Sequence, residues 1–194
     1  KHIYIEQHSQ SIKGRYSISP SSQDVYPPKY DSPKEELKKE SSSSANFETH
    51  SSAVNVTVWV HNGEEQIHRQ EKGHGKHGKP VVVMAKTTMG NLKIDVPQFT
   101  CPQPLHIRAK SHTGSVLVHI PPTFSGLLSW QCESGGFKPS ADVLARYTPI
   151  GEQKKHRGMG KIRVADWVHD QSERGDSAQL ITARGSLYLY EAGE

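Results

Sequence analysis

The sequence predicts an all-β fold, a β-solenoid-like stack of two-strand repeats, with an antiparallel meander or a two-layer sandwich as alternatives. Three observations point there. Val81 to Pro97 and Leu105 to Pro121 align at a constant offset of 24 residues, with Ala85 on Ala109, Lys86 on Lys110, Gly90 on Gly114 and Pro97 on Pro121. Within both copies apolar residues alternate with polar ones, the period of a half-buried strand. Only 33% of the 194 residues are hydrophobic, while 16 Gly and 12 Pro punctuate the chain. That composition suits thin layers with part of the chain outside the core.

The segment 1–19 reads as two short strands of the same domain, carrying Ile3 and Ile5, then Ile12, Tyr16 and Ile18. Residues 20–52 read as a loop or linker. Four prolines, the charge run Lys34 to Glu40 and the serines Ser41 to Ser44 offer too little apolar surface to offset ordering entropy. One helical turn near Glu35 to Lys39 is expected within it. Residues 53–194 form the β-repeat domain.

In that domain each glycine marks a turn between two strands, because a residue without Cβ suits positive φ, and each closing proline cannot donate to a ladder. The sets Val81/Val83/Ala85 and Leu92/Ile94/Val96 fall on Leu105/Ile107/Ala109 and Val116/Val118/Ile120, so both strands keep their inward face. Ala178 to Tyr190 around Gly185 gives another copy, with Leu180, Leu187 and Leu189 matching Ala109, Val116 and Val118. Two weaker copies place Leu127 to Cys132 before Gly135, and Val54 to Asn62 before Gly63. The glycine spacings are 27, 24, 21 and 50. The last interval leaves room for an extra element, and Lys161 to Val168 reads as a strand carrying Trp167.

Lys plus Arg is 24 against 20 acidic residues, a net charge of +4, and 12 histidines add positive charge in acid. This basicity is mild and does not by itself demand nucleic acid. Cys101 and Cys132 lie 31 positions apart with no CxxC spacing, which excludes a zinc ribbon and a disulfide framework and leaves one disulfide or two thiols open. No window approaches the roughly 18 apolar residues of a membrane span. No signal peptide is visible, which favours the cytoplasm, although a chain beginning at Lys1 leaves N-terminal processing open.

Four groups of residues carry candidate chemistry. His74 and His77, inside the glycine-rich Gly73 to Lys79, are metal ligands by residue type, but lysines flank both and oppose a dication. Lys86 and Lys110 share one outward row, with His106 and Arg108 on the same strand face as Lys110, while Lys93 and Leu117 share another row. A second cluster runs from Lys154 through Lys155, Arg157 and Lys161 to Arg163; without interleaved aromatics it fits phosphate contact better than base stacking. Ser, His and Asp are abundant, for example Ser111, His112 and Asp95, but GxSxG, HExxH, Walker and GxGxxG motifs are absent, and no cofactor is expected.

Several segments resemble a fungal, mushroom-type domain family of unknown function with repeated Ser-His-Asn-Gly-Ser-Val units. Ser111 to Val116 differs from that unit at one place, and His119 to Gly126 is similar to the family's Leu-Pro-Arg-Ser-Phe-x-Gly segment. Lys161 to Trp167 and Ala178 to Tyr190 resemble its ending, and Ser11 to Pro20 its opening. Only His112 retains the unit's histidine; Thr88 and Glu133 stand at the corresponding places. The unit is also similar to bacterial putative-adhesin β-solenoid repeats, which implies an all-β repeat fold and no particular activity.

The expected function is a non-catalytic β-repeat scaffold for protein interaction, adhesion or self-assembly. A polyanion- or carbohydrate-binding module using Lys86, Lys110 and the Lys154 to Arg163 cluster is the alternative. A metal-dependent hydrolase centred on His74 and His77 is the second.

Overall fold

The computed structural model describes residues 3–19, 43–61, 80–163 and 175–194. Among these residues fourteen strands and one short helix follow in order. They are β1 Ile3–Gln7, β2 Ile12–Ile18, β3 Ser43–Thr49, β4 Val54–Val60, β5 Val81–Met89, β6 Leu92–Asp95 and β7 Leu105–Thr113. After these come β8 Val116–Ile120, β9 Gly126–Ser134, β10 Phe137–Pro139, α1 Ala141–Arg146, β11 Tyr147–Pro149, β12 Arg157–Ile162, β13 Asp176–Arg184 and β14 Leu187–Glu191. The chain is all-β, with two sheets of largely parallel strands and no closed barrel among the described residues.

The eight-stranded sheet has the order β1-β3-β5-β7-β13-β9-β12-β11, and the six-stranded sheet the order β10-β14-β8-β6-β4-β2. Each successive pair except β11/β12, such as β5 and β6, sends its first strand to the larger sheet and its second to the smaller. Neighbouring pairs therefore meet in parallel. An antiparallel meander is not what forms, because the tight turn inside each pair passes from one sheet to the other and does not fold a strand back on its neighbour. Among the described strands, antiparallel pairing is confined to β9, β12 and β11.

Residues matched at the offset of 24 lie side by side: Val81 with Leu105, Ala85 with Ala109, Leu92 with Val116 and Ile94 with Val118. All eight are buried, in one core that both sheets share. Burying strand faces on both layers is what the alternating pattern calls for, and an apolar side chain so buried contributes roughly 1.5–3 kcal/mol. Leu180 pairs with Ala109, Leu187 with Val116 and Leu189 with Val118, as the Gly185 copy predicts.

The spatial order departs from the chain order at one place: β13 and β14 lie between β7/β8 and β9/β10. Near the terminal strands β10 and β11, aromatic rings and the helix gather. Trp130 stacks on Phe137 with centroids 5.1 Å apart and planes 15° apart, and Phe137 meets Tyr147 at 6.4 Å. Helix α1, N-capped by the Ser140 hydroxyl accepting the Val143 N–H at 3.3 Å, packs on β14 and β12 and buries Val143.

Two expected elements are placed differently. Val54 to Val60 is the second strand of its pair, β4, bonded to β2 and β6; its first strand is β3, inside the stretch 20–52 expected to be loop. Ser-Ser-Ala-Asn-Phe-Glu-Thr is too polar to announce itself, yet Ala45 and Phe47 are fully buried and β3 is bonded on both sides, by β1 and β5. The Lys154 to Arg163 cluster contains strand β12, which takes in Lys161 and Ile162 of the strand expected at Lys161 to Val168, whose residues 164–168 lie outside the described residues. Trp167, Gly63 and the helical turn near Glu35 lie outside the described residues. Cys101 and Cys132 are both buried thiols, not a disulfide.

Candidate functional site

Side chains alternate across a strand, so parallel pairing lines up outward residues into rows that cross the larger sheet. One row reads Glu6, Glu48, Lys86, Lys110, Ile181, Gln131, Arg157 from β1 to β12. The row one step away along the strands carries Arg108, Gln179, Ser129 and Met159 from β7 to β12. A third carries His106, Ser177, Leu127 and Lys161.

The row of Lys86 and Lys110 therefore exists, and its electrostatics differ along its length. Lys86 Nζ sits 2.6 Å from Glu48 Oε1, so its charge is matched within the sheet. No acidic residue occupies the outward positions of β7, β13, β9 and β12 in these three rows. On β7 Arg108 and Lys110 are exposed; on β12 Arg157 is exposed and Lys161 half-buried. With strands about 4.8 Å apart, β7 and β12 stand about 14 Å apart across β13 and β9. The result is a neutral floor between two cationic rails. Lys93 and Leu117 also pair, on the outward face of the other sheet.

A groove of about 430 Å³ opens on this face, floored by Ser129, Gln131, Gln179 and Ile181 and walled by Ile150, Gly151 and Glu152. The wall is held by Gln153, whose Nε2 donates to Ile150 O at 3.2 Å and to Met159 O at 2.7 Å. Tyr147 Oη donates to Gln153 Oε1 at 3.1 Å, and burial pushes its phenol above the usual range. The glycines of Arg157-Gly-Met-Gly-Lys161 belong to this arrangement. A Cβ at Gly158 would strike the Trp130 ring and Gln153, and one at Gly160 would strike Tyr147.

The basic cluster is thus divided by the fold. Arg157 and Lys161 join Lys110 on the outward face. Lys154 and Lys155 are exposed in the turn before β12, where Lys154 N–H donates to Arg157 O at 2.9 Å and Lys154 Nζ lies 3.9 Å from Glu152. Arg163 is exposed just past β12, with its N–H donating to Arg146 O. His74 and His77 lie outside the described residues. Among the described residues no group of three or more His, Cys, Asp or Glu could hold a metal ion.

Ser111, His112 and Asp95 are not brought together. Ser111 is buried and donates to Gly90 O at 3.1 Å, His112 is exposed on the larger sheet, and Asp95 belongs to the outward face of the smaller sheet. There Asp95 Oδ1 faces His119 Nδ1 at 3.6 Å, and the His119 ring meets Tyr190 edge-on at 5.7 Å. Burial holds the His119 pKa below its ordinary value, against the opposing pull of Asp95.

Sequence reasoning placed Arg108 on the outward face beside Lys110 without naming it a binding residue, and missed Gln179, Ser129 and Gln131 altogether. The alternation marks each as outward; what joins them is the placing of β13 between β7 and β9. No described helix is long and apolar enough to cross a membrane. No curated protein and no solved structure matches the chain. The model of the Domain of unknown function (DUF7330) matches residues 1–194, and the chain belongs to that family.

Proposed function

We propose that this chain is a non-catalytic β-repeat scaffold, built as a β-solenoid-like stack, that acts through protein interaction or self-assembly at one end. The observation that carries the reading is the difference between the two ends. At one, the sheets finish in the three-residue strands β10 and β11, with α1 packed beside them; at the other, the longer β1 and β2 end their sheets together, and among the described residues nothing pairs with their outer edges. A strand edge is a row of backbone donors and acceptors that templates another strand unless charges or bulges guard it. On the outward face β1 presents Tyr4, 57% exposed, and Glu6, which accepts the Tyr4 hydroxyl.

Two copies meeting edge to edge at β1 and β2 through a two-fold axis form a closed dimer. Light scattering behind size exclusion tests this. The expected outcome is a concentration-dependent dimer for the full chain and a monomer for Tyr4→Lys, which adds a guarding charge at an exposed position. A monomer throughout the concentration range removes the self-assembly reading.

A further inference from the structure

We propose that the outward face of β7, β13, β9 and β12 is a binding site for an acidic polysaccharide, one carrying carboxylate or sulfate groups. The inference goes beyond the scaffold reading and does not depend on dimerisation. Its first support is charge: Lys110 on one side and Arg157 on the other flank a floor with no acidic residue in the three aligned rows. Cations on both flanks of a neutral strip attract a chain whose charges recur along its length, and attract it more weakly as salt rises.

The second support is the chemistry of the floor. Gln179, Gln131 and Ser129 offer amide and hydroxyl groups that both donate and accept, which is what sugar hydroxyls need. Ile181, Met159 and Ile150 supply apolar contact for the C–H faces of sugar rings along the same groove. Glu152, in the groove wall, is 3.9 Å from Lys154 and sets one border of the anionic ligand's path.

The His106 imidazole is the one aromatic ring at the outward positions of these four strands in the three rows, so the face lacks the succession of stacking platforms that single-stranded nucleic acid uses. This separates the polysaccharide from RNA as occupant. Lys86 is left out of the site because Glu48 already holds it.

Biolayer interferometry on the full chain, with heparin and polygalacturonate as probes, and dextran and single-stranded RNA as comparisons, tests the assignment. The expected result is salt-sensitive binding to at least one acidic polysaccharide and none to dextran. Lys110→Ala combined with Arg157→Ala should weaken that binding about tenfold or more. Gln179→Ala should weaken it several-fold at low and high salt alike, and Lys86→Ala by less than twofold. Circular dichroism of each variant confirms that the sheet is retained; all four positions are exposed. An equal loss for Lys86→Ala and for the double variant means diffuse charge attraction and overturns the site. So do tighter binding of RNA than of either polysaccharide, and an absence of salt-sensitive binding to both.

Discussion

The Asp176 carboxylate accepts the backbone N–H of Leu105 at 2.8 Å through one oxygen, while its other oxygen accepts the Ser125 N–H at 2.9 Å. Asp176 opens β13, is 2% exposed, and so pins the strand to β7 on one side and to the segment entering β9 on the other. Gly126 makes the approach possible, since a Cβ there would run into the Asp176 backbone. Asp176→Ala leaves two N–H groups without their acceptor, each costing about 1–3 kcal/mol. We expect a total loss of about 2–5 kcal/mol in urea unfolding, with Asp176→Asn in between because its amide keeps one acceptor.

A second stitch runs along the turns. The Ser111 hydroxyl donates to Gly90 O at 3.1 Å and the Thr182 hydroxyl to Gly114 O at 2.8 Å, each reaching the turn of the neighbouring strand pair. Gly114 itself has φ +140°, and a Cβ on it would collide with the Gly90 carbonyl. Thr182→Val removes one hydroxyl from a buried position and should cost about 1–3 kcal/mol. Gly114→Ala combines an unfavourable φ with a backbone clash and should cost more. Thermal unfolding of the two variants gives the order: wild type, then Thr182→Val, then Gly114→Ala.

The inward rows were legible because alternation and the offset of 24 carry the same information twice: Leu92 and Val116 match in sequence, pair in register and are buried together. The seat of β13 was not legible. Nothing in the chain order shows that Leu180 lies between Ala109 and Trp130, and the buried Asp176 carboxylate that bonds two distant backbone groups there leaves no mark in the alternation. Lys86 and Lys110 look equivalent in sequence, and only the strand hidden in the serine-rich stretch supplies Glu48 to one of them. Gly158 and Gly160 read as spacers in a basic cluster, whereas their lack of Cβ accommodates Trp130, Gln153 and Tyr147. Helix α1, six residues long, is too short for a periodic signal.

His119 gives the fold an acid sensitivity with a definite sign. Its native pKa is lowered, first by burial, while Asp95 opposes the shift. As pH falls through about 6.5 the unfolded chain takes up this proton before the native one does. The contribution is therefore complete above that pH and declines as pH drops toward the lower native value. Urea midpoints at pH 7.5 and pH 5 should differ less in His119→Gln than in the wild-type chain. An undiminished difference assigns the acid sensitivity to other groups.

The thiols provide a prediction that separates burial from oxidation. Cys101 is 1% exposed with its Sγ 3.8 Å from His61 O, and Cys132 is fully buried, where desolvation raises its thiol pKa above the usual value. The thiolate is the reactive form, so a thiol both enclosed and harder to ionise meets a reagent only when the sheet opens. With an aromatic disulfide reagent at pH 7.5, the native chain should show almost no early reaction, and the denatured chain should release two equivalents per chain. A disulfide would also be silent in the native state but would release none on denaturation without reductant. The denatured measurement is therefore the one that distinguishes two buried thiols from a cross-link.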